Sequence, residues 1–212
     1  MAPTIHIFRH AESRHNVELD GHAIRDPELT THGVVDAAQK SCQFEPMPKV
    51  KKIISSPMRR AIQTAGLIFR PLIEEQGMKI ILYPDLQECS SQPSDTGSPP
   101  DELRAEFGFA IDETHLSDGW WYKGASESYG GRSREIIAER ARQARLFIRN
   151  VAKSLNDDDH IVVVTHSLFI PHLIENGPKF RNAEFRSCHF VDLLGDDSQA
   201  TLVISEPVPQ DP

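Results

Sequence analysis

The sequence predicts an α/β fold, a three-layer α/β/α sandwich with a mainly parallel central sheet and an irregular lid insertion. Three observations predict it. Short apolar runs of strand length alternate with stretches of helical periodicity, the order expected when helices cover both faces of a parallel sheet. The run HIVVVT, residues 160–165, is the most apolar of these segments. Several runs stop abruptly at chemically capable side chains, and open parallel sheets bind ligands at the carboxyl ends of their strands.

The elements follow in order. Residues 4–8 read as a strand entering a polar loop at Arg9-His10-Ala11-Glu12. Thr30 or Thr31 supplies an N-cap for a helix to about residue 44, with Val34, Val35, Ala38 and Cys42 at helical spacing. Residues 51–55 form a second strand. Pro57 suits the first turn of the helix after it, whose apolar stripe runs through Ala61, Ile62, Ala65, Ile68, Phe69 and Leu72. Residues 80–83 make a third strand. From Pro84 to about Gly131 regularity is lost. At more than about 40 residues this exceeds a passive connection, so 84–131 reads as a lid or specificity insertion. Its aromatics Trp120, Trp121 and Tyr122 argue for order. A long helix over 133–155 carries Ile136, Ile137, Ala141, Ala144, Phe147, Ile148, Val151 and Leu155. HIVVVT, His166-Ser167 and a helix to about Glu175 come next. Two weaker strands, near 185–194 and 200–204, precede a Pro-rich tail over 205–212 that is expected to fray.

The 212 residues are 25% charged and 39% hydrophobic, an ordinary globular balance. One domain over 1–212 is the expectation, long enough to bury a core without disulfide or metal staples. The net charge is −8. Nucleic-acid and anionic-membrane partners need a basic footprint, so this balance argues against both while leaving room for one positive pocket. Cys42, Cys89 and Cys188 fit neither a disulfide framework nor a CxxC zinc site and read as reduced thiols. The N-terminus lacks the apolar core of a signal peptide, and no apolar run nears the roughly 20 residues of a spanning helix. A soluble, cytoplasmic protein is expected. The oligomeric state stays open.

The strand ends hold the chemistry. Arg9-His10 follows the first strand, Ser55-Ser56 with Arg59-Arg60 the second, and His166-Ser167 the strand HIVVVT. The third leads through Pro84-Asp85-Leu86-Gln87 to Glu88. Two histidines, two or three arginines and one carboxylate would converge on one crevice. Guanidinium forks suit phosphate oxygens, and a helix N-terminus just after His166 would add backbone donors. These residues describe a phosphate pocket with a candidate nucleophile inside it.

They also resemble a known family. Arg9-His10-Ala11-Glu12-Ser13 followed by Asn16 resembles the RHGE-x-x-x-N signature of the histidine phosphatase superfamily, in its phosphoglycerate-mutase-like branch. Leu29-Thr30-x-x-Gly33 looks like its LT-x-x-G segment, and Ser55-Ser56-Pro57-x-x-Arg60-Ala61-x-Gln63-Thr64 like its SS-x-x-x-RA-x-QT helix start. Leu86-Gln87-Glu88 matches the position of its acidic residue and Val164-Thr165-His166-Ser167 that of its second histidine. The run Asp95 to Ser98 and the later GWWYK resemble small phosphatase-like members found in fungi. One position departs: Ala11 stands where the family has glycine, and alanine is disfavoured wherever φ is positive.

The resemblance implies roles. His10 would attack phosphorus to form a phosphohistidine. Arg9, Arg60 and His166 would hold the phosphoryl oxygens in the transition state. Glu88 would protonate the leaving oxygen and then activate water, and Asn16 would hydrogen-bond the phosphate. Ser167 and His22 complete the substrate-binding set. No cofactor or metal is expected, and the partner is a small anionic phosphorylated substrate.

Blander readings stand beside these. Arg59 suits a solvated first helical turn, and Asp85 competes with Glu88. His15 and His22 also read as surface or supporting residues, or as lining a substrate entrance. Asp95, Thr96 and Ser98 read as a turn or, second, as a substrate contact, and the tryptophans as packing or as one wall of a pocket. Rival chemistries fail on counting. A cysteine phosphatase needs C-x5-R, but the residues six beyond each cysteine are Pro48, Asp95 and Leu194. No GxSxG elbow or Walker A sequence occurs. Asp157-Asp158-Asp159 precedes a strand, and His6, His10 and His15 have no recognised ligand spacing. The leading expectation is a metal-independent phosphatase working through His10. The alternatives are a phosphoglycerate-type mutase, whose relatives are usually longer, the same pocket recruited to non-phosphatase chemistry in specialised metabolism, and a non-catalytic binding module. Degenerate modules usually lose the nucleophile or an arginine, and this chain keeps both.

Overall fold

The structure, a computed structural model, describes residues 2–123 and 133–205. Residues 206–212 of the expected tail and the end of the expected insertion, 124–131, lie outside the described residues. In chain order the elements are β1 (Thr4–Arg9), α1 (Arg14–Val17), α2 (Thr31–Gln43), β2 (Val50–Ser55), α3 (Arg59–Ile68), α4 (Arg70–Gln76), β3 (Ile80–Leu82), α5 (Pro100–Phe107), β4 (Ile111–Asp112), α6 (Arg134–Ala152), β5 (His160–Thr165), α7 (Ile170–Leu173), β6 (Phe185–Phe190) and β7 (Leu202–Ile204).

The strands form one seven-stranded sheet in the order β4-β3-β2-β5-β1-β6-β7. Strands β1 to β5 pair in parallel, and β6 runs antiparallel to both β1 and β7. The sheet is therefore mixed but mainly parallel, as the alternation of elements predicts. Successive side chains of a strand point to opposite faces. Accordingly Val162 and Val164 join one core with Phe8, Ile53 and the inner faces of α2, α3 and α4. Ile161 and Val163 join the other with Ile5, Ile7, Ile54 and the α6 stripe Ile137, Ala141, Ala144 and Ile148. Both faces are covered, which is why the central strands read as nearly unbroken apolar runs.

Three expectations need correction. The helix expected through Leu72 is two helices, with Phe69 joining α3 to α4. Pro71 explains the break, because proline lacks the N–H an uninterrupted helix would use there. The stretch after Pro84 is only partly irregular. It holds 3-10 turns at Pro84–Leu86 and Pro93–Asp95, helix α5 and the edge strand β4. Trp120 is fully buried and fastens this stretch. A Cβ on Gly97 would come within 2.1 Å of the Trp120 ring, so only glycine lets the two approach. Finally, α7 is a four-residue helix that begins at Ile170, after a turn over 167–169. Among the described residues, no helix is long and apolar enough to cross a membrane.

Candidate active site

Three strand ends set the site, and hydrogen bonding continues past each of them. Arg9 lies opposite Thr165, and the His10 N–H then donates to the Thr165 carbonyl at 3.0 Å. Ser55 lies opposite Val164, and the Ser56 N–H donates to the Val164 carbonyl at 2.9 Å. The Thr165 hydroxyl donates to Leu86 O at 2.6 Å and draws the Glu88 segment to the same edge. The sheet register thus brings His10, Ser56, His166 and Glu88 together from four distant segments.

The motif residues that do not face the crevice build its walls. The Ala11 N–H donates to Thr64 Oγ1 at 2.9 Å, and Gln63 Oε1 accepts the Leu29 N–H at 2.9 Å. Thr30 caps α2 through Gly33 N at 3.0 Å and donates to Glu12 Oε1 at 2.7 Å. A Cβ on Gly33 would sit 2.0 Å from the Glu12 carbonyl oxygen, so the loop after His10 packs against α2 at a glycine. Ala11 is absent from the residues with positive φ, so the departure from glycine costs no backbone strain.

The two histidines are 2% and 0% exposed, with ring centroids 5.2 Å apart. His10 Nδ1 lies 2.7 Å from the Ala11 carbonyl oxygen. A carbonyl only accepts, so Nδ1 carries the proton and Nε2 keeps its lone pair. Burial, with Arg60, His15 and Arg9 beside it, holds His10 well below the ordinary imidazole value, so the ring is neutral. His166 Nε2 lies 2.8 Å from Ser56 Oγ, which already accepts the Met58 N–H at 3.3 Å. Assigning the Ser56 proton to Nε2 leaves Nδ1 as the protonated nitrogen of a neutral His166. Burial and then Arg60 push His166 well below its ordinary value as well.

Arg60 is the hub, since its charge acts on His10, His15, His166 and Glu88. It is fully buried, giving Nη1 to Ser94 O at 2.6 Å and Nη2 to Asp95 Oδ1 at 2.8 Å. Arg9 is half-buried and gives Nη1 to Phe180 O at 3.0 Å. Three buried donor nitrogens of these residues, Arg9 Nε, Arg60 Nε and His166 Nδ1, have no hydrogen-bond partner among the described residues. Glu88 is 7% exposed and accepts the Cys89 N–H at 2.9 Å and the Leu168 N–H at 3.1 Å. One of the backbone donors expected for an anion after His166, the Leu168 N–H, is thus given to Glu88. Burial first, and Asp95 second, raise the Glu88 carboxyl above its ordinary value.

The remaining candidates divide. Asn16 is exposed on α1, with Oδ1 accepting the Ser13 N–H at 3.1 Å and Nδ2 3.1 Å from His15 Nε2. Ser167 is half-buried in the turn after His166. His22 is exposed and reaches Ser94 Oγ at 3.3 Å, an outer position. His15 lies closer in than a surface reading implies: its ring is 5.5 Å from His10, and burial and then Arg60 lower it to about 3. Arg59 binds Glu106 at 2.6 Å and caps nothing in the crevice. Asp85, raised to about 6 chiefly by burial, feels Arg140 and Glu139 of α6 instead of the histidines.

Two neighbours take positions that the sequence reading did not assign them. Asp95 pairs with Arg60, and nothing local distinguishes that carboxylate from a turn residue. Lys123 donates to Glu88 O at 3.3 Å, and burial and then Arg140 pull it down to about 7. Its place at the end of WWYK beside buried aromatics was the available signal. Among the described residues, no group of three or more His, Cys, Asp or Glu side chains is arranged to hold a metal ion.

Comparison with known proteins agrees with this architecture. A protein of Schizosaccharomyces pombe named "Probable phosphatase" is 33% identical over 107 residues, 49% of this chain and 49% of that protein. The chain thus aligns with about half the length of this curated relative. Among solved structures, the ecdysone phosphate phosphatase of Bombyx mori has a TM-score of 0.63 at 15% identity, covering 88% of this chain and 89% of that one. A mycobacterial glucosyl-3-phosphoglycerate phosphatase has a TM-score of 0.58 at 20% identity, covering 90% and 94%. At such identities the likeness speaks for the fold. Residues 5–195 match the model described as "Histidine phosphatase superfamily (branch 1)", a span that takes in both strand-end histidines, and the chain belongs to that family.

Proposed function

We propose that this protein is a phosphatase that hydrolyses a small phosphomonoester through a phosphohistidine formed on His10. One observation carries the reading: three buried, unpartnered donors, Arg9 Nε, Arg60 Nε and His166 Nδ1, belong to the residues gathered around a neutral imidazole with a free Nε2. Buried donors demand acceptors, and a phosphoryl group presents three oxygens to them.

The reaction runs in two displacements. The lone pair of His10 Nε2 attacks phosphorus, the P–N bond forms and the bond to the leaving oxygen breaks. Glu88, whose carboxyl is held above its ordinary value, gives its proton to that oxygen. Arg9, Arg60 and His166 donate to the equatorial oxygens, where negative charge accumulates. Water then attacks phosphorus, Glu88 takes its proton, the P–N bond breaks and inorganic phosphate leaves. Asn16 and Ser167 bind the phosphate from the loops after β1 and β5, and His22 contributes at the outer rim. The phosphatase name of the yeast relative supports this class of reaction. The names of the structural relatives describe phosphate esters of unlike alcohols, which supports a site built around the phosphoryl group.

The test is hydrolysis of 4-nitrophenyl phosphate, with acid-labile phosphate trapped on the protein after rapid quenching. Wild type is expected to turn over and carry label, and His10→Ala to lose both by at least about 10³-fold. Equal turnover by His10→Ala overturns the reading.

A further inference from the structure

Asp95 is a buried carboxylate for which the proposed reaction has no task. It is 5% exposed. Its Oδ1 takes Arg60 Nη2 at 2.8 Å, while the adjacent Ser94 carbonyl takes Nη1 at 2.6 Å. Its Oδ2 accepts the hydroxyl of Ser90, two residues beyond Glu88. One carboxylate is therefore fastened at one oxygen to the central arginine and at the other to the segment that carries Glu88.

Both attachments have consequences. A guanidinium is a rigid planar fork. With both terminal nitrogens tied, the plane of Arg60 is fixed and its remaining donors point in set directions before any anion arrives. The second consequence is electrostatic. Arg9 from β1 and Arg60 from α3 face Glu88 with positive charge, Lys123 from the segment after Trp121 adds its charge when protonated, and Arg140 from α6 donates to the Glu88 carbonyl at 3.3 Å. Cys89, pushed up to about 12 chiefly by burial, is a neutral thiol beside it. The N–H groups of Cys89 and Leu168 also favour a charged carboxylate. Burial and Asp95 are what oppose this set.

We propose that Asp95 is a positioning residue of this site: it fixes the Arg60 guanidinium for the phosphoryl oxygens and sets a negative charge against Glu88, so that Glu88 enters the first displacement carrying the proton it must give away. The mechanistic meaning rests on the phosphatase reading; the fastening of Asp95 to Arg60 and to the segment that carries Glu88 rests on geometry alone.

Asp95→Asn tests it, because the amide keeps the volume and one oxygen while removing the charge. The Glu88 carboxyl is followed by carbon-13 NMR across pH, its resonance assigned by its loss in Glu88→Gln. In Asp95→Asn the Glu88 midpoint is expected to fall by about half a pH unit or more. Turnover of 4-nitrophenyl phosphate should fall about tenfold, and the basic limb of its pH profile should move to lower pH with the midpoint. Ser90→Ala, which frees one oxygen of Asp95 and keeps its charge, should shift the midpoint less and weaken phosphate binding through a looser Arg60. A merely structural role would lower activity equally at every pH. An unmoved Glu88 midpoint with an active wild type overturns the inference and leaves the phosphatase reading intact. A moved midpoint in a wild type that hydrolyses no phosphate ester upholds the coupling and overturns the phosphatase reading.

Discussion

At the scale of single residues, the site depends on pushing a base and an acid in opposite directions. His10 is held neutral by burial and by its cationic neighbours, while burial and Asp95 hold the Glu88 proton in place. These opposite shifts suit His10 to the part of nucleophile and Glu88 to that of acid in the proposed reaction. It also fixes the form of the pH dependence. His10 must be unprotonated to attack, and its value in the folded protein lies below the ordinary 6.5. The acid limb of kcat/KM, which reports the free enzyme, should therefore lie below 6.5. Glu88 must be protonated in the same step, so the basic limb should lie above the ordinary 4.5. A pH series of initial rates on an aryl phosphate checks both limbs, and an acid limb at 6.5 or higher would contradict a buried, neutral His10.

At the scale of elements, the motif Leu29-Thr30-x-x-Gly33 is legible as a pattern, but its purpose appears only in the packing. The first turn of α2 lies against the loop after His10, with the Gly33 Cα facing the Glu12 carbonyl. Gly33→Ala should therefore cost about 1–3 kcal/mol, the usual scale of overpacking against atoms that cannot yield, and should lower turnover by displacing the loop that follows the nucleophile. Gly66→Ala is the contrast: it lies within α3 and its Cβ would meet nothing within 4 Å. It should stabilise by about 0.5–1 kcal/mol. Urea unfolding of the pair measures both signs. The same scale explains what the sequence hid between 84 and 123. Strand β4 is two residues long and exists through its pairing with Ile80 and Ile81, so no period could announce it. Helix α5 does carry a local signal in Pro100, Asp101 and Glu102 at its first turn, which the turn formers before it obscured.

At the scale of the whole molecule, the acidic composition and the cationic crevice coexist because charge is sorted by burial. The surplus of acidic residues spreads over the surface, whereas Arg60 is buried at the sheet edge. The buried histidines give the fold a characteristic acid response. His6, His10, His15 and His166 all lie below their ordinary value, His6 at about 4 through burial and His160. For such groups the unfolded chain takes up protons first, so their stability is present above pH 6.5 and is lost as pH falls toward the folded values. Asp26, Asp85 and Glu88 are raised and act oppositely, with stability present at low pH and lost as pH rises through their window, to about 6 for Asp85. They offset part of the histidine loss. The melting temperature should fall between pH 7 and pH 5. His6 lies outside the crevice, packed against Phe44 and bonded to His160 at 2.8 Å. Its share of the fall is at most about 2 kcal/mol between pH 6.5 and 5, and His6→Phe should flatten it. Melting curves of both proteins at the two pH values read this, and equal slopes would remove His6 from the account.

By itself the sequence determined the alternation of strands and helices, the mainly parallel sheet, and the strand ends at which His10, Arg60, Glu88 and His166 stand. Those features are written in neighbours along the chain: apolar spacing, Pro and Gly punctuation, and motifs a few residues wide. Only the tertiary structure decided which nitrogen of His10 is free, that Leu168 serves Glu88, and that Asp95 holds Arg60. These facts depend on groups far apart in the chain meeting at hydrogen-bond distance, such as Arg60 and Asp95 across 35 residues or Ser56 and His166 across 110. Hydrogen bonds and buried charges act over a few ångströms, so they take their values only once the sheet has closed that distance.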